Sequence, residues 1–354
     1  MDDLLLKDYE PHPTIVVDSH LVERPRFPAV DAHNHLGFRT DSFGYTRDGE
    51  TGKPDAAALI DVMDRSGVRA MANLTGRWGD VLKRQIDRYE GAYPGRFYTF
   101  ANVDWVRSAE PGFGEWAARQ LEGSVRAGAR GFKVFKGLGL KARGPDGKLL
   151  MPDDERLDPI WAKAGELGMP VLIHLADPVA FFEPMDQHNE SYLALKRSPE
   201  WHFYGPGIPS FLDLIEAGIR AIARHPGTTF ITAHTGWYSE NLRFVGERML
   251  DRLPNMYTDF SARPNWLGQQ PHSARKFFVK YQDRILFGTD STPSLATYQH
   301  FYRFLETDDD HFSAYPGRSG YRISALNLPD DALEKIYHLN AERIIPGLGP
   351  IGPS

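Results

Sequence analysis

Short runs rich in β-branched and aromatic residues alternate along the chain with longer stretches of amphipathic, helix-like pattern. Eight of these runs predict strands, at Ala29–His35, Val68–Leu74, Phe97–Val103, Gly131–Phe135, Pro170–His174, Thr229–Ala233, Met256–Phe260 and Arg284–Gly288. Predicted helices separate most of them, for example Asp55–Arg65, Gly114–Ala127, Glu155–Leu167 and Ser210–Arg224. Eight strand–helix repeats is the number at which a parallel sheet closes, so the pattern predicts an α/β fold, a (β/α)8 barrel.

The alternative architecture for such a pattern is an open, doubly wound sheet. Open sheets usually have fewer strands, and their ligands gather at the point where the strand order reverses. No Gly-rich dinucleotide or phosphate loop follows a predicted strand, which favours the closed TIM barrel. In a TIM barrel the carboxyl ends of all the strands open onto one mouth, where the functional residues lie.

One barrel domain is predicted for the whole chain, 1–354, because no linker or internal repeat interrupts the pattern. Residues 1–28 precede the first strand as an N-terminal arm. Two insertions, 177–209 and 308–328, are longer than usual connections and contain aromatic-rich sequences such as EWHFYGPG. Long loops at strand carboxyl ends are typical of binding-site walls, and we expect both insertions to line the mouth of the barrel.

The composition excludes several kinds of function. Because the chain has no cysteine, any metal must be held by His, Asp, Glu or a modified Lys. The net charge of −6, without a basic block, indicates neither nucleic acid nor an anionic membrane as a partner. With no signal-peptide pattern and no long apolar stretch, a cytoplasmic location is expected. We expect a small-molecule substrate as partner, and a homodimer from the general frequency of such assemblies.

Histidines end several of the predicted strands. His33 and His35 lie in AVDAHNHLG, His174 lies in PVLIHLAD, and His234 lies in TTFITAHTGW. Asp290, in RILFGTDST, adds a carboxylate at the end of the last strand. A single histidine after an apolar run is more often a hydrogen-bonded core residue than a ligand. Four histidines and one aspartate at four separate strand ends are hard to assemble by accident, so together they indicate a site.

The spacing of His33 and His35 points to a metal. Residues two apart on an extended strand face the same side, which in a barrel is the interior. Two inward imidazoles can both reach one ion at about 2.0–2.1 Å. His174 and Asp290 can close around this ion, since strands one and eight are neighbours in a closed barrel. A position then remains open for water, as a catalytic zinc site needs.

Several cationic and aromatic residues near the strand ends are further candidates. Lys133, in GFKVFK, is costly to bury unless it is paired or modified. It could be carbamylated and bridge two ions, or remain an ammonium that orients the substrate. A lysine that extends to the rim is the alternative, and this fits Lys136 better. Candidates for binding an anionic or planar substrate are Lys133, Lys136, Arg77, Trp237 and Arg263.

The ordered motifs resemble those of the amidohydrolase superfamily, in particular its amidohydrolase-2 branch of barrel enzymes. The motifs are DAHNH at 31–35, FKVF at 132–135, LIH at 172–174, TAHTG at 232–236 and FGTD at 287–290. FKVF also resembles the fourth strand of hydantoinase-like members, whose lysine is carbamylated. NAERIIPGL at 340–348 is similar to the closing helix of the branch, so the resemblance extends from Asp31 to Leu348.

The resemblance implies roles for the strand-end residues. His33 and His35 would bind the first metal, His174 would complete the site, and Asp290 would bind the metal and transfer the proton. In binuclear members His234 and Lys133 would hold a second metal. In mononuclear members His234 would be a free imidazole that polarises the substrate or acts as base. We expect one or two Zn²⁺ ions, with Mn²⁺ as the alternative.

The branch contains lactonases, amide hydrolases, hydratases and non-oxidative decarboxylases, so the resemblance leaves the reaction open. We expect metal-activated water to cleave a C–O or C–N acyl bond of a lactone, amide or ester, with Asp290 and His234 as the catalytic residues. The alternative is non-oxidative decarboxylation of an aromatic or unsaturated acid, which fits the aromatic-rich loops. A barrel that binds metal without catalysing a reaction is the third possibility.

Overall fold

The computed structural model describes residues 4–5, 8, 12–36, 54–314 and 321–350. Parts of the predicted N-terminal arm, and residues 315–320 of the second predicted insertion, lie outside the described residues. In the described residues, eight parallel strands form one sheet in sequential order. They are β1 Ala29–Asn34, β2 Val68–Asn73, β3 Phe97–Ala101, β4 Gly131–Val134, β5 Val171–Ile173, β6 Phe230–Thr232, β7 Met256–Asp259 and β8 Ile285–Leu286.

The sheet closes on itself between its first and last strands. The backbone N–H of Ala32 donates to the carbonyl of Phe287 at 2.9 Å, and that of Asp290 donates to the carbonyl of His33 at 2.7 Å. The predicted TIM barrel is therefore confirmed, and each observed strand lies within its predicted run. His33 is the next-to-last residue of β1, whereas His35, His174, His234 and Asp290 follow the ends of their strands, where the backbone leaves the sheet at the barrel mouth.

Strand β1 contains a register shift just before this mouth. Asp31 pairs with Met71 of β2, whereas Asn34 pairs with Asn73, so three steps on β1 match two on its neighbour. This is the pairing of a β-bulge, which re-aims the side chains around it. Asp31 and Asn34 face the helix layer together, while His33 turns into the barrel.

The helices follow most of the strands, and most of them cover the outside of the barrel; the segment Ala233–Gly236 contains two residues in a non-helical conformation, His234 and Thr235. The helices are α1 Ala56–Ser66, α2 Gly79–Ile86, α3 Phe113–Arg126, α4 Asp158–Glu166, α5 Tyr192–Arg197, α6 Phe211–Arg224, α7 Ala233–Gly236, α8 Leu242–Phe244, α9 Pro264–Leu267, α10 Pro271–Lys280, α11 Leu295–Glu306, α12 Asp330–Glu334 and α13 Asn340–Ile344. Short 3-10 helices lie at Trp105–Ala109, Glu155–Leu157, Val179–Phe182, Pro199–Trp201 and Gln282–Arg284. Single π-helical stretches continue three of the helices, at Asp87–Gly91, Val245–Leu250 and Lys335–Leu339. A short antiparallel pair, β9 Phe312–Ser313 and β10 Arg322–Ile323, lies in the second predicted insertion.

The apolar core has two layers that follow the alternation of side chains along each strand. Inside the barrel, the buried cluster includes Val30, Phe100, Leu172, Ile231 and Leu286. Between sheet and helices, Phe132 and Phe230 pack on Trp161 of α4, with ring centroids 6.3 and 6.1 Å apart. The inner layer fills the amino-terminal part of the barrel and leaves the carboxyl-terminal mouth to polar side chains. No helix in the described ranges is long and apolar enough to cross a membrane.

Candidate metal centre

His33 of β1 and His35, which follows the strand, lie together at the barrel mouth. The His33 side chain is fully buried, that of His35 is 8% exposed, and their ring centroids lie 5.6 Å apart. The Nδ1 atom of His35 lies 2.9 Å from Thr75 Oγ1, while its Nε2 faces Asp290. Each ring is therefore held through Nδ1 and presents Nε2 to the mouth, as a metal-binding imidazole does.

Asp290 brings a carboxylate to these Nε2 atoms. It has a φ of 47°, a left-handed conformation that Asp tolerates better than most residues. Its Oδ1 lies 3.5 Å from His35 Nε2 and 3.9 Å from His33 Nε2. Ligand atoms about 2.1 Å from a tetrahedral ion lie about 3.4 Å from one another. Both distances are close to this value, and the ligand atoms of the three residues all lie within 4.8 Å of one another, so the three could share one ion.

His174, which follows β5, supplies another candidate ligand atom. Its Nε2 is buried and has no hydrogen-bond partner in the part of the chain that the structure describes. Asp177 Oδ1 lies 3.3 Å away, but not in hydrogen-bonding geometry. Burial lowers the pKa of His174 to about 4, so the ring is neutral at pH 7 and its nitrogen can bind a cation. A buried, unsatisfied imidazole nitrogen at this position fits a metal ligand.

His234 is held in a strained turn after β6. It has a φ of 59°, and Thr235 follows with a φ of 61°, although a β-branched residue rarely adopts this conformation. The His234 N–H donates to Asp259 Oδ1 at 3.1 Å, and the Gly236 N–H donates to Thr258 Oγ1 at 2.7 Å. These bonds support the strain and direct the imidazole into the site.

The hydrogen bonds of His234 also define which of its nitrogens carries the proton. Its Nδ1 lies 2.7 Å from the carbonyl oxygen of Ser261, which can only accept, so Nδ1 carries hydrogen. Its Nε2 lies 3.7 Å from Asp290 Oδ2 and has a lone pair directed toward it. Burial, reinforced by the Arg263 charge, lowers the pKa of His234 well below its usual value. The ring is thus a neutral base at pH 7.

Asp259, at the end of β7, organises two of these histidines. Its Oδ2 accepts from His33 Nδ1 at 2.8 Å, and its Oδ1 accepts from the Ser261 hydroxyl at 2.6 Å and from the His234 N–H. Burial opposes ionisation, but the His33 ring and these hydrogen bonds lower the pKa of Asp259 to about 2. This carboxylate holds the His33 ring through Nδ1 and so orients its Nε2 toward the predicted metal site. Sequence reasoning missed Asp259, although it ends an apolar run just as Asp290 does.

Lys133 of β4 points into the barrel and is fully buried. Its Nζ lies 3.5 Å from His33 Nε2 and 5.4 Å from the ring centroid of Phe135. It therefore reaches the ligand cluster, where either a carbamate or an ammonium would act. Carbamylation of Lys133 stays a prediction.

The other predicted substrate-binding residues divide into those near the site and one outside it. Lys136 Nζ lies 2.5 Å from Asp177 Oδ2 and 5.3 Å from the Trp201 ring of the first insertion. Arg77 is buried with its guanidinium 4.8 Å from the Trp78 ring. Trp237 is not brought to the site, because its indole N–H donates to the carbonyl of Ile173 at 2.8 Å and its ring packs on α6.

Arg263 is a predicted substrate-binding residue with a buried guanidinium. The residue is only 6% exposed, and its charge acts on His234. Its guanidinium donates to the carbonyl of Ala262 at 3.1 Å and lies 5.0 Å from the Trp266 ring. No carboxylate among the described residues pairs with it. A buried guanidinium with one carbonyl partner retains several donors for an anionic ligand.

Together, these side chains fit a metal centre at the carboxyl ends of the barrel strands. His33, His35 and Asp290 lie close enough to hold one ion, and His174, whose ring centroid lies 4.4 Å from that of His234, remains the predicted fourth ligand. His234 Nε2 faces the other oxygen of the same carboxylate. When bound, a divalent ion would polarise an oxygen of water or substrate. The fold and this donor set define a metal-dependent barrel enzyme.

The family model of the amidohydrolases, Amidohydro_2, matches residues 30–347. The chain therefore belongs to this amidohydrolase family, as the strand-end motifs predict. Among curated proteins, no relative matches the sequence.

Solved structures share the fold at low sequence identity. A 2,6-dihydroxybenzoate decarboxylase from Rhizobium is 17% identical, with a TM-score of 0.55 over 90% of this chain and 98% of that one. A dihydroxybenzoic acid decarboxylase from Polaromonas sp. JS666, with bound manganese and 2-nitroresorcinol, is 15% identical, with a TM-score of 0.54 over 90% and 96%. An uncharacterized TIM-barrel protein from Bordetella bronchiseptica is 18% identical, with a TM-score of 0.53 over 89% and 97%. At these identities the likeness shows the fold.

Proposed function

We propose that the protein is a metal-dependent, non-oxidative decarboxylase of an aromatic or unsaturated carboxylic acid. The observation that carries this proposal is the buried guanidinium of Arg263, which has no carboxylate partner among the described residues. A buried cation is costly without an anion, so its placement beside His234 favours a substrate that brings a carboxylate.

The apolar wall of the site suits a planar substrate. The ring of Phe135 stacks on that of His35, with centroids 5.3 Å apart and an angle of 29° between the planes. Phe135 is 4% exposed. We propose that a flat ring or conjugated acid binds beside this ring with its carboxylate directed toward Arg263. The enclosed site, with His174 4% and His234 2% exposed, suits a reaction that needs no attacking water.

The reaction breaks the bond between the carboxylate carbon and its neighbour. The bonding electron pair stays on the neighbouring carbon, carbon dioxide leaves, and one proton takes its place. Asp290 is the group that can deliver this proton, since its oxygens lie within 3.9 Å of three imidazole nitrogens. His234, neutral and fixed through Nδ1, would orient the substrate or relay the proton.

The decarboxylases from Rhizobium and Polaromonas share the fold of this chain, and this likeness supports the proposed decarboxylation. They favour decarboxylation over the hydrolysis that the sequence first suggested, and the Polaromonas protein contains manganese. For this chain we propose one divalent ion. Three imidazoles and one carboxylate suit Zn²⁺, and the carboxylate also suits Mn²⁺, so titration with both ions measures the preference.

The test uses metal-replete protein and a panel of hydroxybenzoates and unsaturated acids in deuterium oxide. Decarboxylation would release carbon dioxide and leave one deuterium on the carbon that carried the carboxylate. The same protein without metal, and the variant His35→Ala, are the controls. Turnover of lactones, amides or esters without carbon dioxide release would overturn the proposal.

Hydrolysis is the second candidate, and the pairing of Asp290 with His234 favours it. A water molecule near Asp290 could lose its proton to the carboxylate while the lone pair on His234 Nε2, 3.7 Å from Asp290 Oδ2, accepts a hydrogen bond. Hydrolysis in ¹⁸O-labelled water would put label into the product acid. Decarboxylation would put none, so this isotope separates the two reactions.

We expect Arg263→Met to raise the KM for the acid about ten-fold, because a charge-assisted hydrogen bond contributes about 1.5–3 kcal/mol. Steady-state kinetics with the acid that gives turnover measures this. Arg284→Met is the matched control, since Arg284 bonds the carbonyls of Met256 and Leu253 at the amino end of the barrel. An unchanged KM in Arg263→Met would remove Arg263 from the substrate site.

A further inference from the structure

A buried carboxylate on the outer face of β1 contacts the peptide segments that carry three of the metal-ligand candidates. Asp31 is 0% exposed and faces the helix layer at the β-bulge, away from the barrel interior. Five groups donate hydrogen bonds to it: His33 N at 3.2 Å, Thr289 N at 3.0 Å, Asn34 Nδ2 at 2.9 Å, Thr289 Oγ1 at 2.8 Å and Tyr298 Oη at 3.0 Å.

These bonds lead directly to His33, His35 and Asp290. The first donor is the backbone N–H of His33 itself. The Thr289 N–H belongs to the residue before Asp290. Asn34, held by its Nδ2, accepts the backbone N–H of His35 on its Oδ1 at 2.9 Å. One carboxylate therefore connects the backbone of three residues, among which Asp290 Oδ1 lies 3.9 Å from His33 Nε2 and 3.5 Å from His35 Nε2.

Barrel closure alone does not require this arrangement. The Ala32 N–H already joins β1 to the carbonyl of Phe287, one hydrogen bond nearer the amino end of the strands. Beyond that bond β1 bulges and β8 ends at Leu286, and the hydrogen bond from the Asp290 N–H to the His33 carbonyl at 2.7 Å joins the two segments. An ionisable side chain is expensive to bury, and it is found here where that backbone hydrogen bond does not include His35.

We infer that Asp31 is a positioning residue that sets the separation of His33, His35 and Asp290 for metal binding. Tyr298, on α11, tethers it from the helix layer. The five donors saturate the carboxylate and leave it little freedom to move. Movement of Asp31 would shift both strand ends at once. The affinity for the metal and the geometry of the whole site would therefore change, rather than the position of one ligand. This inference rests on the metal site proposed above.

The test compares metal affinity across Asp31→Asn, Tyr298→Phe and Thr289→Val. Each protein is stripped of metal and titrated with Mn²⁺ and with Zn²⁺, and the visible spectrum of its Co²⁺ form reports the ligand geometry. We expect about a ten-fold loss of affinity in Asp31→Asn, since outer partners of metal ligands are worth about 10–100-fold. We expect a smaller loss in the other two variants, and an altered Co²⁺ spectrum in all three.

Tyr337→Phe is the matched control for Tyr298→Phe. Tyr337 is also buried. Its hydroxyl donates at 2.7 Å to a carboxylate oxygen of Glu306, which lies on α11 as Tyr298 does but away from the site. Both variants should lower the melting temperature, but only Tyr298→Phe should change the metal affinity and the spectrum. Should Asp31→Asn fail to fold, Tyr298→Phe and Thr289→Val decide the question.

Wild-type metal affinity and spectrum in the folded variants would overturn the inference, even where their stability falls. The outcome is separate from the proposed reaction, because no substrate is used. If the wild-type protein binds neither ion, the metal site fails and the inference with it.

Discussion

Asp290→Asn is expected to lower turnover about 10²–10⁴-fold, the usual contribution of a positioned acid or base. The amide keeps the shape of the side chain and an oxygen near His35 Nε2, but it can neither accept nor deliver the proton. The KM for the acid should change little, since Arg263 and the aromatic wall remain. Steady-state kinetics on protein with a measured metal content would separate lost chemistry from lost metal.

Asp283→Asn is the control for this substitution. Asp283 lies at the amino end of the same strand, where its carboxylate pairs with Lys335 at 2.9 Å on the surface. We expect its turnover to equal that of the wild type. Near-normal turnover in Asp290→Asn, with metal bound, would mean that another group transfers the proton, and His234 would become the first candidate.

Asp259→Asn is expected to weaken metal binding about 10–100-fold, as substitution of an outer-shell carboxylate does in other metal sites. Asp259 accepts a hydrogen bond from the Nδ1–H of His33 at 2.8 Å. The negative charge of Asp259 therefore makes His33 Nε2 a stronger ligand for a cation. An amide can accept the same hydrogen bond but has no charge. It must also satisfy the His234 N–H and the Ser261 hydroxyl with its remaining atoms.

Titration of metal-free protein with Mn²⁺ and Zn²⁺ measures this effect. Asp251→Asn serves as the control, because Asp251 forms an exposed ion pair with Lys280. If Asp259→Asn bound both ions as tightly as the wild type, the orientation of His33 would not depend on this carboxylate.

The barrel could be predicted from the sequence because its signal is local and repeated. A strand buried on both faces is a short apolar run, as in VLI at 171–173, and an amphipathic helix follows from its own spacing. Each of the eight barrel strands falls within its predicted run, whereas the short pair β9 and β10 was not predicted. The strand count then determines the architecture, since eight parallel strands in sequential order can close.

The residues at the strand ends could be predicted for a related reason. A histidine that follows an apolar run lies at the barrel mouth wherever the strand is correctly assigned, so His33, His35, His174 and His234 were found. Their mutual distances could not be predicted, because they depend on the bulge in β1 and the left-handed turn at His234. The bulge contains no glycine that would indicate it, and Gly236 in the second turn does not reveal that His234 and Thr235 also adopt positive φ values.

Contacts between distant segments account for what was missed. Asp259 differs from an ordinary strand-end carboxylate only through its bond to His33, 226 residues away in sequence. Trp237 follows a strand end as Arg77 does, but its indole N–H donates to the carbonyl of Ile173. Its position along the chain therefore does not indicate where its side chain lies. Hydrolysis was expected because a bound metal would activate water, and the burial of the Arg263 guanidinium, which favours the decarboxylation alternative, was not visible in sequence.

The most direct test of the account is the metal content of the wild-type protein, purified without a His-tag and without chelators, beside that of His35→Ala. We predict about one ion of zinc or manganese per wild-type chain and almost none in the variant. Two ions per chain, with a mass increase that corresponds to carboxylated Lys133, would contradict the single-ion site. A wild-type protein that contains no metal and takes up neither ion on addition would contradict the metal centre itself.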